Sequence, residues 1–133
     1  MELLLLFVTL YVGLRITDGI WNGLHNHRLR HGIGLDPIQQ YQYYIKDYSQ
    51  KHIKELRRMN YQAYLRTKHW HMLREAVLFR DNHRCFDCGT SEKLKHLEAH
   101  HMTYKNRGHE QVGDLISLCH ECHQCRHEIM YNH

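Results

Sequence analysis

Residues 85–123 read CFDCGTSEKLKHLEAHHMTYKNRGHEQVGDLISLCHECH. The stretch opens and closes on Cys-x-x-Cys pairs, Cys85/Cys88 and Cys119/Cys122, with thirty residues between them. A secreted disulfide framework favours an even number of cysteines at varied spacings. This chain has five, and four of them stand at metal-ligand spacing. Four thiolates complete the tetrahedron of a structural Zn²⁺, and two such turns supply them with little strain. Binding free energy then becomes folding free energy, which a small core needs. The expectation is a zinc staple in a reducing, cytoplasmic compartment. Cys125 falls outside both pairs and reads as a spare thiol.

Working outward, Asn82 to Gly89 has the shape of a zinc knuckle, Leu94–Tyr104 reads as a strand and Asp114–Cys119 as a second. His120 to about Met130 reads as a helix, since no Gly or Pro interrupts it. Zinc held by four thiolates has no open position, so any chemistry must use other groups. Side chains alternate along a strand, so Leu97, Ala99 and His101 share one face and His100 points to the other. Adjacent histidines on opposite faces fit two roles better than one. His123 and His127 are four apart on a helix, hence on one face, able to grip a single metal.

Upstream, Thr67 caps a helix on which Trp70, Leu73 and Val77 share a face, ending at Arg80-Asp81-Asn82. Asp36-Pro37 starts another, with Asp at N-cap, Pro at N1 and Gln39 placed for a capping box. Ile38, Tyr41, Ile45, Tyr48, His52 and Leu56 recur at three- and four-residue spacing, predicting one amphipathic helix to about Met59. The division is an apolar appendage over 1–35, an amphipathic helix over 36–58 and a domain over 59–133. The class is α+β. Within the appendage, residues 3–14 (LLLLFVTLYVGL) are uncharged, but a spanning helix needs about 20 apolar residues. No positive charge precedes the run and no small-residue cleavage site follows it, unlike a signal peptide. The readings for it are a packed or interfacial helix, a membrane anchor or uncleaved signal in contact with a membrane, and translated sequence outside the functional unit.

Net charge is +4 over 133 residues. Between Lys51 and Arg80 stand eight basic residues and two acids, which points to an anionic partner, nucleic acid first. The chain has fifteen histidines.

The sequence from about 59 to 130 resembles the HNH endonuclease family. Tyr64-Leu65 and Trp70-x-x-Leu73-Arg74-x-x-Val77-Leu78-x-Arg80-Asp81 look like that family's lead-in. Cys85-x-x-Cys88-Gly89, His100-His101-x-x-Tyr104, Gly108-x-Glu110, Asp114-Leu115, Leu118-Cys119-x-x-Cys122-His123 and His127 look like its core. The tripeptide His25-Asn26-His27 is coincidence, because the family's letters name scattered residues. The resemblance implies a ββα-metal, treble-clef-like fold in which a hairpin and a helix clasp a catalytic ion. It makes His101 the general base, and His100, His123 and His127 ligands of that ion. The middle letter falls on Asp114 rather than Asn, to brace the loop and orient His101.

Imidazole titrates at about pH 6.5, so a histidine can take a proton from water under physiological conditions. A divalent ion as Lewis acid stabilises the developing charge at phosphorus. Of Mg²⁺, Mn²⁺, Ni²⁺ and Zn²⁺, the imidazole ligands suit the last three better. Arg74, Arg80, Lys105 and Arg107 are candidate phosphate contacts. Tyr104, Gly108 and Glu110 read as loop-shaping residues, with Glu110 bonding a backbone group. His69, His71, His83, His96, His109 and His120 read as surface or packing residues. The expected activity is metal-dependent hydrolysis of phosphodiesters, with the family pointing to DNA in preference to RNA. Two rivals are a zinc-knuckle module that binds nucleic acid without cutting it, and a structural zinc module for protein contacts.

Overall fold

Asp36 caps the first helix, α1 (Pro37–Ile45): its side chain accepts from the Gln39 amide, and the Gln39 side chain accepts from the Asp36 amide. The structure, a computed structural model, describes residues 34–131, and side chains as far as 128. Apart from Gly34 and Leu35, the expected appendage lies outside the described residues, with the membrane contact considered for its apolar run. Among the described residues no helix is long and apolar enough to cross a membrane.

The single helix expected to Met59 is two. After Ile45 the chain turns, and Ser49 opens α2 (Gln50–Arg58) by accepting from the His52 amide at 3.2 Å. The cause is local: a serine in extended conformation offers the first turn an acceptor that an unbroken helix would have no use for. The break moves the buried stripe of α2 from His52 to Ile53 and Leu56. A short helix not foreseen, α3 (Tyr61–Tyr64), is capped by Asn60. Thr67 then caps α4 (Lys68–Arg80), which buries Trp70, Leu73 and Val77 as the spacing predicts, together with His69, Ala76 and Leu78.

β1 (Leu97–His101) and β2 (Leu115–Cys119) pair antiparallel, with Leu97 opposite Cys119, Ala99 opposite Ser117 and His101 opposite Leu115. β1 is shorter than predicted at both ends. Leu94 and Lys95 donate their amides to Ser91 in a turn, and Arg107 closes another on Tyr104. A 3₁₀ turn (Val112–Asp114) leads into β2, and α5 (His120–Tyr131) follows it directly. The order helix, knuckle, strand, loop, strand, helix is as read from the sequence.

α4 and α5 each pack on both strands, so all five residues of β2 are buried. One apolar cluster joins α1, α2 and α4 to Leu115. A second, comprising Leu78, Leu97, Ile116 and Leu118, continues into Cys85 and Cys119. Asp36–His133 is one compact unit. Gly108 is where α2 meets the inter-strand loop: its φ is +88°, and a Cβ there would come within 2.8 Å of the Ile53 carbonyl oxygen. Only glycine satisfies both conditions.

Candidate metal centres

The first cluster is sulfur. Cys85 lies after the end of α4, where Asn82 and His83 take left-handed conformations that reverse the chain. The turn that follows is closed by the Gly89 amide on the Cys85 carbonyl and the Cys85 amide on Thr90, and Gly89 itself has φ +73°. Cys119 ends β2 and Cys122 lies in the first turn of α5. The four sulfurs lie within 4.8 Å of one another, with Cys88 and Cys119 at 3.8 Å. Sulfurs about 2.3 Å from a tetrahedral zinc stand roughly 3.8 Å apart, so the donor set fits that ion. Burial raises the Cys85 thiol, but amides of Cys88, Cys119 and Asp87 aimed at its sulfur outweigh that and bring it down to about 7. The bond to the Cys119 sulfur, then burial, push the Cys122 thiol up. Such crowding of sulfurs is relieved when a cation takes their charge.

The second cluster is nitrogen. On the face of β1 toward α5, His100 meets His123 and His127, with ring centroids 4.9 and 5.1 Å away. One ring nitrogen from each of the three lies within 4.8 Å of the others. The Nε2 atoms of His123 and His127 are 3.1 Å apart. Nitrogens about 2.0–2.1 Å from one ion stand roughly 3.0–3.4 Å apart, so this pair is spaced as two ligands. Burial first, then His123 and His127, push His100 down to about 4, which keeps its ring neutral and its lone pair available.

Glu98, two residues before His100 and on the same strand face, accepts from His123 Nδ1 at 2.7 Å and from His120 Nδ1 at 3.0 Å. That bond leaves His123 Nε2 facing the cluster, the arrangement in which a carboxylate orients a ligating imidazole. Burial raises the Glu98 carboxyl, but the two imidazoles outweigh it and hold it below the usual range.

His101 faces the other way. Its ring lies between Trp70, 5.3 Å away, and Tyr104, 4.6 Å away, both nearly parallel to it. Its side chain is 1 % exposed, and Nε2 donates to Glu110 Oε1 at 3.1 Å. Glu110 is wholly buried and also accepts from Tyr64 Oη at 2.5 Å, His69 Nε2 at 2.8 Å and the Gly108 amide at 2.9 Å. Burial alone would raise its carboxyl; bonds from His101, His69 and Tyr64 prevail and set it well below the usual range. His101 Nδ1 is buried with no partner among the described residues.

Asp114 braces the loop, accepting from the Gln111 amide at 2.8 Å and Asn106 Nδ2 at 3.0 Å. The carboxylate in contact with His101 is Glu110. The expected phosphate contacts divide. Arg74 donates to the Leu97 carbonyl, Arg80 to those of Val112 and Leu115, and Arg107 to that of Met59, so each ties elements together. Lys105 stands exposed. Sequence reasoning passed over Glu98, although the period of two that placed His100 would have found it. It gave Glu110 only a loop role and His69 a packing role. No local signal joins Tyr64 and His69 to a carboxylate more than forty residues away.

No family model matches this chain, and no curated protein or solved structure matches it either.

Proposed function

We propose that this chain is a metal-dependent endonuclease of the HNH type, hydrolysing DNA phosphodiesters on a ββα-metal scaffold. The observation that carries the proposal is the convergence of His100, His123 and His127 on one point, apart from the four-cysteine cluster that would hold scaffold zinc. Three imidazoles leave coordination positions open, whereas four thiolates fill them. A divalent ion held there supplies Lewis acidity at the scissile phosphate.

The chain's own residues do the rest. Glu98 fixes the tautomer of His123, and β1 sets His100 opposite the pair on α5. His101 takes the proton of the attacking water. Glu110 receives its Nε2–H, which leaves Nδ1 with the lone pair, and the buried carboxylate stabilises the imidazolium that forms. Tyr104, half exposed, is the cover that must shift for water to reach Nδ1.

A second reading rests on that cover. A histidine with a 1 % exposed side chain favours a module that binds nucleic acid without cutting it. Incubating plasmid DNA with the zinc-loaded protein and each divalent ion decides between them. His101→Ala is expected to slow cleavage by about 10²–10⁴-fold while zinc content and DNA binding stay near normal. Equal rates for wild type and variant would remove His101 from the chemistry, and no cleavage with any ion would leave the binding module.

A further inference from the structure

Beside the histidine cluster lies a cavity of about 500 Å³, whose lining includes His100 and His101 of β1, Cys122, Cys125 and Arg126 of α5, and Asp87 of the knuckle. Among the described residues Arg126 is the only Lys or Arg in that lining. Of the three candidate ligands His100 is the one in that lining; Arg126 shares a face of α5 with Cys122 and Cys125, beside the stripe that carries His123 and His127. Its Nε and Nη2 donate to the two carboxylate oxygens of Asp87 at 2.7 and 2.6 Å. That fork uses two of the three guanidinium nitrogens, and Nη1 has no partner among the described residues.

We propose that Arg126 is the phosphate-binding residue of this site, with Nη1 donating to a non-bridging oxygen of a phosphodiester seated in the cavity. The inference rests on the nuclease reading for its substrate. A guanidinium is planar, permanently charged and weakly hydrated, and it matches phosphate oxygens better than an ammonium does. Asp87 does two things. It holds the guanidinium in one rotamer, so little freedom is lost on binding. It also offsets a positive charge that would otherwise oppose a divalent ion at His100. Asp87 is thus a positioning residue. Arg74, Arg80 and Arg107 are engaged with backbone carbonyls, whereas Arg126 lies in the cavity lining with His100.

The competing explanation is a brace, an ion pair that fastens α5 to the knuckle. Four full-length, zinc-loaded proteins separate the two: wild type, Arg126→Ala, Asp87→Asn, and the exchanged pair Asp87→Arg with Arg126→Asp. The exchange keeps the brace and moves the cation. On a short DNA duplex, Arg126→Ala and the exchanged pair are expected to lose about 10²-fold in kcat/KM, and Asp87→Asn less than about tenfold, with zinc content unchanged. Wild-type kcat/KM in the exchanged pair overturns the proposal. Should that variant lose zinc, Arg126→Gln, which keeps one bond to Asp87, decides the same point.

Duplex binding without added divalent ion, followed by fluorescence anisotropy, is the arm that does not depend on cleavage. If wild type cuts nothing, the nuclease reading falls, and the pocket is judged by this arm alone. Weaker binding by Arg126→Ala and the exchanged pair than by wild type and Asp87→Asn supports it, and equal binding by all four refutes it.

Discussion

Two neighbouring histidines of β1 meet opposite fates. His101 enters a network built from the protein's own groups: one buried carboxylate serves Tyr64, His69, His101 and the Gly108 amide, with aromatic rings on either side of the His101 ring. His100 enters a group of rings whose nitrogens turn toward each other, with the Glu98 carboxylate behind His123 rather than among them. A buried carboxylate whose four donors all come from within stabilises a fold. A face on which three ring nitrogens converge is one that could hold a metal ion. The difference teaches that residue type alone does not assign a role to a histidine; the supply of partners on its side of the sheet does.

The harshest way to break this contrast is to remove what both faces share. Both strands end near the sulfur cluster, so Cys119→Ser is expected to abolish zinc retention and the cooperative melt together. Apparent zinc binding of about 10–16 kcal/mol exceeds or equals the whole stability of a typical domain. Metal analysis and circular dichroism check it; a metal-free variant that melts like wild type would show that the thiolates are not the staple.

Glu110→Ala sharpens the contrast from the His101 side. Stripping the carboxylate from a buried network should cost about 3–5 kcal/mol in urea unfolding, without altering affinity for a second divalent ion. The reverse pattern, normal stability with weakened ion binding, would exchange the roles of the two faces. Glu98→Gln works from the His100 side, with an expected 10- to 100-fold loss of ion affinity and little change in melting temperature. Calorimetric titration of Mn²⁺ into the zinc-loaded protein measures it, and undiminished affinity would detach Glu98 from the site.

The smallest effect is on pH dependence. The folded Glu110 carboxyl is held below its unfolded value, so the unfolded chain binds a proton first as pH falls past about 4.3. The stability that Glu110 contributes is therefore full above that pH and lost as pH falls toward the folded value. Glu110→Gln removes this component, and the gap between the two urea midpoints should narrow on acidification. A gap that widens instead would show that Glu110 is not the depressed group.

Much of this molecule can be read along the chain. The capping box at Asp36, the cap at Thr67, the cysteine spacing and the opposed faces of His100 and His101 are local facts of short range. The break at Ser49 was hidden because an amphipathic stripe continues through it almost in register, and only the shift from His52 to Ile53 reveals the turn. The carbonyl bonds of Arg74, Arg80 and Arg107 were hidden for a related reason: a basic residue carries the same signal whether it meets a phosphate or the carbonyl of a neighbouring element.

By itself, the sequence determined which residues can ligate, their spacing and the strand face each occupies, because backbone geometry fixes these within a few residues. The tertiary structure alone decided that Glu110 gathers Tyr64, His69 and His101, that Glu98 backs His123, and that Asp87 clamps Arg126. Those contacts join segments many residues apart, and their energies come from burial and mutual hydrogen bonding, which exist only once the helices close over the hairpin.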